Sequence, residues 1–412
     1  MAATIILYAT PFFMLLIAIE LMVDIYRKTG YFRINDSITS LALGVISRTH
    51  RFIVFGFAVG VYAWVAKTFA ITQLPADSWP VWIFSFILYD FCYYWFHRFS
   101  HSVNFLWAGH VVHHQSEEYN LTTALRQTST TIFGWVFYIP AFIIGIPAEV
   151  FFVCGALNLL YQFWVHTRHI GRLGWYEKIF VTPSNHRVHH GQNEIYIDKN
   201  HGGVFILWDR LFGTFQDELE SEPVIYGVRR PVNSFNPIWA NFHTWQSLIA
   251  DAIHTKSIKD KFRIWFMPTG WRPEDVEISH PNTKIKPEER IKYDPSQPKL
   301  IKYYGVLQYT AAVVVGVAFL LSANELSYQW KLIYWLLITA PLVTTGMIFD
   351  NRRFARILEG IRLITSIFVL ANNFPYLVAW VADGLMLYLG VSTIWLIALS
   401  RSSKEKIPDL IE

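Results

Sequence analysis

Long apolar runs constrain this chain before anything else. A backbone crossing lipid must satisfy its own hydrogen bonds, so an apolar run of roughly 20 residues reads as a membrane helix. Residues 3–23 form the first. Its flanks do not fit a cleaved signal: no basic start precedes it, and Asp24, Arg27 and Lys28 follow in place of a small-residue cleavage site. It reads as a permanent anchor. Residues 52–72 and 79–96 supply two further spans, and 303–322, 332–349, 363–381 and 385–400 close the chain. The last two are separated by a short turn at Asp383-Gly384, or form a shallow hairpin. Composition agrees, with 53% of the 412 residues hydrophobic and 16% charged, well below the roughly 25% charged of ordinary soluble domains. A net charge of +4 does not describe a nucleic-acid binder. Cys92 and Cys154 both lie in apolar segments, which leaves neither a disulfide framework nor a cysteine-based zinc site.

Loop charge assigns the sides. Arg27, Lys28, Arg33, Arg48 and Arg51 follow the first run, Arg98 the third, and Arg352, Arg353, Arg356 and Arg362 cluster near 349–362, with Arg401, Lys404 and Lys406 in the tail. Residues 73–78 and 323–329 carry no base. All basic loops share one side if the N-terminus is outside. Residues 132–164 are apolar but interrupted by Pro140, Gly145, Pro147 and Glu149, which predicts a re-entrant helical hairpin or two short spans. The polar stretch from His166 to Lys302 then forms a cap on the cytoplasmic face.

Eleven of the 15 histidines fall between His97 and His201. They run His97-x3-His101, His110-x2-His113-His114, His166, His169, and His186-x2-His189-His190. Residues three and four apart share a helical face, so these imidazoles can converge. Neutral imidazole suits iron, zinc, copper and nickel. Eight to ten such nitrogens exceed what one tetrahedral ion needs and suit two ions with open positions. His169 sits between ligand and surface position, as does His201, while His50, His243, His254 and His280 stand alone and read as ordinary structural histidines.

Asp90, Tyr94, His97 and His101 form one stripe on the third span. A carboxylate within a span needs a partner, and Asp90 is placed to accept the second N–H of a ligand histidine. Glu117 and Glu118 follow the second cluster, where carboxylates offset the charge of two dications. No His-Glu-x-x-His and no nucleotide- or flavin-binding glycine loop occurs, so redox chemistry would draw electrons from an external donor.

The segments HRFSHSVNFLWAGHVVHHQSEEYNLTTALRQ, LLYQFWVHT and TPSNHRVHHGQNEIYIDKNHGGVFILWDRLFGTF resemble the fatty acid hydroxylase and sterol desaturase superfamily. The Glu-Glu-Tyr-Asn-Leu and Ile-Asp-Lys-Asn continuations, with the late hydrophobic spans, resemble its alkylglycerol monooxygenase branch. The resemblance implies a membrane di-iron monooxygenase that uses O2 to insert one oxygen atom beside the ether oxygen of a glyceryl ether lipid. The hemiacetal so formed falls apart to a fatty aldehyde and a glycerol derivative. Tetrahydrobiopterin is the implied external reductant. Two iron ions would be held by His97, His101, His110, His113, His114, His166, His186, His189 and His190, with His169 as a further candidate. His169 and His201 depart from the family pattern. Glu117 matches an acidic position tied to pterin use and, with Asp90, is a candidate catalytic residue.

The expectation is therefore an all-α integral membrane protein, a multi-span helical bundle whose cytoplasmic histidine-rich cap houses a di-metal site. Residues 1–165 would hold the first helices and two histidine boxes, 166–302 the cap, and 303–412 the last helices and basic tail. A bacterial inner membrane is the expected location, or the endoplasmic reticulum if the source is eukaryotic. Membrane lipid, O2 and an electron donor are the expected partners. The rival readings are a fatty acid, sterol or carotenoid hydroxylase or desaturase and, from another class, a histidine-rich metal transporter or sensor.

Overall fold

The computed structural model describes residues 2–54, 56–282, 286–372, 377 and 379–404. Helices dominate, and the described residues contain no strand beyond two isolated bridges, Val103 to Pro268 and Phe180 to Phe205. In chain order the first α-helices are α1 (Ala2–Arg27), α2 (Ile34–Val54), α3 (Gly56–Phe69), α4 (Trp79–Ser102), α5 (Asn104–His114) and α6 (Leu121–Ala124). Then come α7 (Ile139–Ile144), α8 (Ala148–Trp164), α9 (Pro183–His189), α10 (Leu207–Phe212), α11 (Pro237–His254), α12 (Ile258–Arg263) and α13 (Glu274–Ser279). The chain closes with α14 (Lys299–Ser322), α15 (Tyr328–Phe349), α16 (Ala355–Ala371) and α17 (Ala379–Lys404). Among the described residues, four segments are each long and apolar enough to cross a membrane: Tyr8–Arg27, Lys299–Ser322, Tyr328–Phe349 and Trp380–Leu399. The protein is a multi-pass membrane protein.

Two compact units divide the chain. The first comprises residues 1–33, 55–232 and 241–292. Its axis is α4, which packs against α5 and α8, while α1 lies on α8 and α3 on α7. Tyr62, Phe142, Val150, Phe151, Cys92 and Cys154 fill its apolar core, so both cysteines are packing residues. The apolar stretch 132–164 breaks where its sequence indicates. Gly145 ends α7 with φ +95°, and a Cβ there would collide with the Thr72 carbonyl oxygen at 2.0 Å. Pro147 then caps the start of α8.

The second unit comprises residues 34–54, 233–240 and 293–412. Here α14 packs on α15 and on α2 around Phe319, Tyr334, Ile338 and Ile46. The expected 52–72 span falls on the last residues of α2 and on α3, which are assigned to different units, with Phe55 between them outside the described residues. Residues 34–51 were expected in a basic loop but belong to helix α2. Its inner face is mixed, with Asn35, Thr39, Ser40 and Ser47 buried beside Ile38, Ala42, Leu43 and Ile46, and the polar members dilute the hydropathy signal. The turn expected at Asp383-Gly384 is absent, since α17 runs through both. Residues 373–376 and 378 of the expected 363–381 span, and Lys406, lie outside the described residues.

Buried charge holds this unit together. Glu359, fully buried, accepts from Arg362, from the Tyr304 hydroxyl and from the Thr344 hydroxyl (2.5 Å), and Arg362 also donates to Gln308 (2.9 Å). Removing one member of such a pair strands the other charge, a cost of about 3–5 kcal/mol. Glu359→Ala is therefore expected to lower the thermal midpoint of the purified protein sharply. Adding Arg362→Leu to that variant should recover part of the loss.

Candidate metal centre

Two groups of histidines converge inside the first unit. His97, His101, His110, His114 and His189 form one, and His113, His166, His186 and His190 the other. Within each group, one ligand nitrogen per ring lies within 4.8 Å of all the others. Every expected histidine except His169 is thereby assigned to a group.

The helical spacing explains the division. On α4, His97 and His101 are one turn apart and share a face. On α5, His110 and His114 likewise share a face toward the first group, while His113 is turned aside to the second. At the end of α9 the pattern is reversed, His186 and His190 entering the second group and His189 the first. The three rings of each His-x2-His-His box therefore divide between two centres instead of converging on one. A capping box starts α9: Thr182 accepts from the backbone while Asn185 accepts from the Thr182 N–H (3.2 Å), with Pro183 in the first turn.

Backbone carbonyls set the ring orientations. Nδ1 of His97 meets the His201 carbonyl oxygen (2.8 Å), that of His113 the Arg126 oxygen (3.0 Å), that of His166 the Gln162 oxygen (2.7 Å) and that of His189 the Lys199 oxygen (2.9 Å). Each Nδ1 must carry the proton to donate, which leaves Nε2 as a bare lone pair pointing inward. The Nε2 atoms of His113 and His166 nevertheless face each other at 3.2 Å, and Nε2 of His189 has no hydrogen-bond partner. Further Nε2 pairs stand close: His97–His110 at 3.1 Å, His101–His114 at 3.2 Å and His166–His186 at 3.0 Å. At His113–His166 both Nε2 atoms are lone pairs, and two lone pairs at that distance repel unless a cation lies between them. Imidazole ligands at roughly 2.0–2.1 Å from one ion are themselves separated by about 3.0–3.4 Å, so the donor set fits a metal ion in each group.

Electrostatics agree. Burial pushes the imidazoles of His110, His114, His166, His186, His189 and His190 well below their ordinary pKa, and that of His113 to about 4. Before any ion binds, these rings are neutral near pH 7, as ligands must be.

The loop after α9 does much of the positioning. Asp198 and Asn200 adopt left-handed backbone conformations, φ +55° and +56°, which Asp and Asn tolerate better than other side-chain-bearing residues. This geometry turns the Lys199 and His201 carbonyls onto His189 and His97, and sets the Asp198 carboxylate 3.5 Å from Nδ1 of His101. Asp209 anchors the loop by accepting from the N–H groups of His201 (2.7 Å) and Gly202 (2.8 Å) and from the Thr214 hydroxyl (2.6 Å). Burial raises its carboxyl to about 6.

Asp90 requires a correction. It was expected to orient a ligand histidine; instead it accepts from the N–H groups of Val204 (2.8 Å), Phe205 (3.0 Å), Trp208 (2.9 Å) and Asn158 (2.6 Å). Backbone N–H groups of the folded-back 203–205 segment outcompete a histidine that already has a carbonyl. Glu117 lies in neither group. It pairs with Arg33 (3.3 Å) and Arg290, and Glu118 pairs with Arg33 (2.8 Å) and Lys292 (2.7 Å). The adjoining Tyr119 ring packs 5.7 Å from His166 and 5.1 Å from His190, which sets this ionic cluster beside the second group. His169 also lies outside both groups, its ring 5.1 Å from Tyr31. His201 is buried against His97 and His101, with its carbonyl used as an acceptor. His254 and His280 stack on each other at 4.3 Å, exposed and apart from both centres.

The fatty acid hydroxylase family model matches residues 82–214, the stretch that contributes all nine grouped histidines. Human alkylglycerol monooxygenase is 38% identical over 373 residues, covering 90% of this chain and 82% of that protein. The chain belongs to the alkylglycerol monooxygenase family. The Xenopus tropicalis member is 38% identical over 90% of this chain and 84% of its own. More distantly, ornithine lipid hydroxylase OlsE of Rhizobium tropici is 29% identical over 40% of this chain and 50% of that protein. No solved structure matches. As a member of the alkylglycerol monooxygenase family, the protein is a membrane lipid monooxygenase, an oxidoreductase of the wider fatty acid hydroxylase superfamily.

Proposed function

We propose that this protein is a di-iron ether-lipid monooxygenase that oxidises the carbon beside the ether oxygen of an alkylglycerol lipid, releasing a fatty aldehyde and a glycerol derivative. The observation carrying the metal assignment is the pair of inward-facing Nε2 sets, each with two of its rings fixed by Nδ1–carbonyl bonds. The substrate follows from the relatives' name. His97, His101, His110, His114 and His189 would hold one iron, and His113, His166, His186 and His190 the other. Bound iron supplies O2 activation and the one-atom insertion. The residues of the chain hold the rings neutral and correctly turned, and their burial keeps bulk water from the reacting carbon. Fewer than six nitrogens per group leave coordination positions open, which favours catalysis over storage or transport.

Tetrahydrobiopterin is the proposed reductant, with Glu117 contributing to its use from beside the second group. In membranes loaded with iron and supplied with O2, a glyceryl ether lipid should yield aldehyde only when tetrahydrobiopterin is added. Aldehyde formation driven equally well by a soluble electron carrier would favour another hydroxylase of the superfamily. Glu117→Gln should raise the pterin KM about tenfold or more while changing kcat less; an unchanged pterin KM would remove Glu117 from that role. We further propose that the histidine-bearing segment faces the cytoplasm, on the strength of the basic loops, including Arg352 and Arg353 after α15.

A further inference from the structure

An exposed apolar stripe runs along two consecutive helices that the metal centre does not use. On the part of α11 that belongs to the first unit, Phe242, Ile249 and Ile253 point outward while Asn241, Leu248 and Asp251 are buried. The stripe continues on and beyond α12 at a spacing of four, with Ile258 73% exposed, Phe262 72% and Phe266 71%. Single exposed apolar residues are ordinary on a protein surface, but six large ones recurring at helical spacings over two consecutive helices, interrupted on α11 only by the exposed Gln246, are not.

The charges around it are specific. Asp251 is paired with Arg272 (2.7 Å), Asp260 with Arg263, and Asp275 accepts from the Thr255 hydroxyl and the Lys256 backbone N–H. Lys256, in the bend between the helices, and Lys259, in the first turn of α12, are both exposed. An apolar face rimmed by lysine suits the interface of an anionic bilayer, where the apolar side chains enter the acyl boundary and the ammonium groups remain among headgroups. A bilayer is always at hand, because the same chain is a multi-pass membrane protein.

The hairpin is also tied to the metal-bearing helices. Backbone N–H groups of Asn104 and Phe105 donate to the carbonyls of Met267 (3.0 Å) and Trp265 (3.0 Å), and the Asn104 side chain donates to Ile264 (2.9 Å). These bonds sit at the junction of α4 and α5, three residues after His101.

We infer that residues 242–266 lie in the headgroup region of an anionic bilayer as a surface-seated helical hairpin, and that this seating fixes the depth of the histidine centre next to the lipid it oxidises. The part concerning depth rests on the function proposed above; the seating itself does not. The test labels Ile253→Cys, Phe262→Cys and, as a control at an exposed polar position, Glu220→Cys with a small fluorophore in the full-length protein. The native Cys92 and Cys154 are buried. In vesicles of phosphatidylcholine and phosphatidylglycerol, brominated acyl chains should quench positions 253 and 262 at least threefold more than 220, and iodide at least threefold less. Lys256→Gln/Lys259→Gln should weaken the bromolipid quenching at 262 in these vesicles but not in pure phosphatidylcholine. Iodide reaching 262 as readily as 220 overturns the inference, as does protection from both quenchers, which would mean that protein covers the stripe. Unchanged metal content in each labelled variant shows that the fold is intact.

Discussion

Replacing His189 by alanine should remove one metal ion per chain and leave the other. Its Nε2 is buried without a partner and belongs with His97, His101, His110 and His114, while the second group draws its four nitrogens from other residues. Elemental analysis of the purified variant should fall from about two ions per chain toward one, and turnover should drop by at least about 100-fold, the upper range for loss of a residue that merely supports a ligand. His166→Ala should give the mirror result, emptying the second position and sparing the first. Two ions retained in either variant would break the division of the histidines. Loss of both would show that the two positions fill as one unit, which the placement of His113 beside His114 makes a sharp question.

Asp90→Ala should be the most damaging substitution in the first unit that leaves all the histidines in place. Four N–H groups converge on this carboxylate from α8, from the 204–205 backbone and from Trp208. Leaving buried donors without an acceptor costs roughly 1–3 kcal/mol each before relaxation, so a loss of at least about 3 kcal/mol is expected, read in the thermal midpoint. Metal content should fall with it, because the released segment adjoins the His201 and Lys199 carbonyls that turn His97 and His189. Asp90→Asn should do less harm, since the shape and one acceptor oxygen survive. Metal lost from Asp90→Ala with no change in thermal midpoint would instead return Asp90 to a direct role at a ligand histidine.

The convergence of the histidine boxes was legible because residues three and four apart share a helical face, and that spacing survives in sequence as plain text. Their partition was not. Whether His113 turns with His114 or away from it depends on about 100° of helical rotation and on where α9 arrives, which is tertiary information. Asp90 was visible as a residue needing partners, yet three of its four partners come from a segment more than 110 positions away that folds back onto α4, and the fourth from α8. The Ile-Asp-Lys-Asn segment stood out as a family mark without a mechanism. Its physical signal was present: Asp198 and Asn200 are residues suited to left-handed turns, flanking Lys199 whose carbonyl the turn aims inward. Helix α2 was missed for the opposite reason. Its buried face interleaves Ile38, Ala42, Leu43 and Ile46 with Asn35, Thr39, Ser40 and Ser47, so the apolar residues that meet α14 and α15 never form a run long enough to read as a span.

The four Nδ1–carbonyl bonds carry a consequence for how this protein can change. A carboxylate that orients a metal ligand can be swapped for an amide or a longer acid, giving evolution or an engineer a graded control over ligand basicity. A peptide carbonyl offers no such control, because every residue type supplies the same oxygen. At His97, His113, His166 and His189 the electron-donating character of the imidazole is set by the path of the main chain. Substitutions around these rings should therefore tend to act in steps, leaving the metal's reactivity nearly unaltered or abolishing the site. Retuning it would take a change in loop length or turn type.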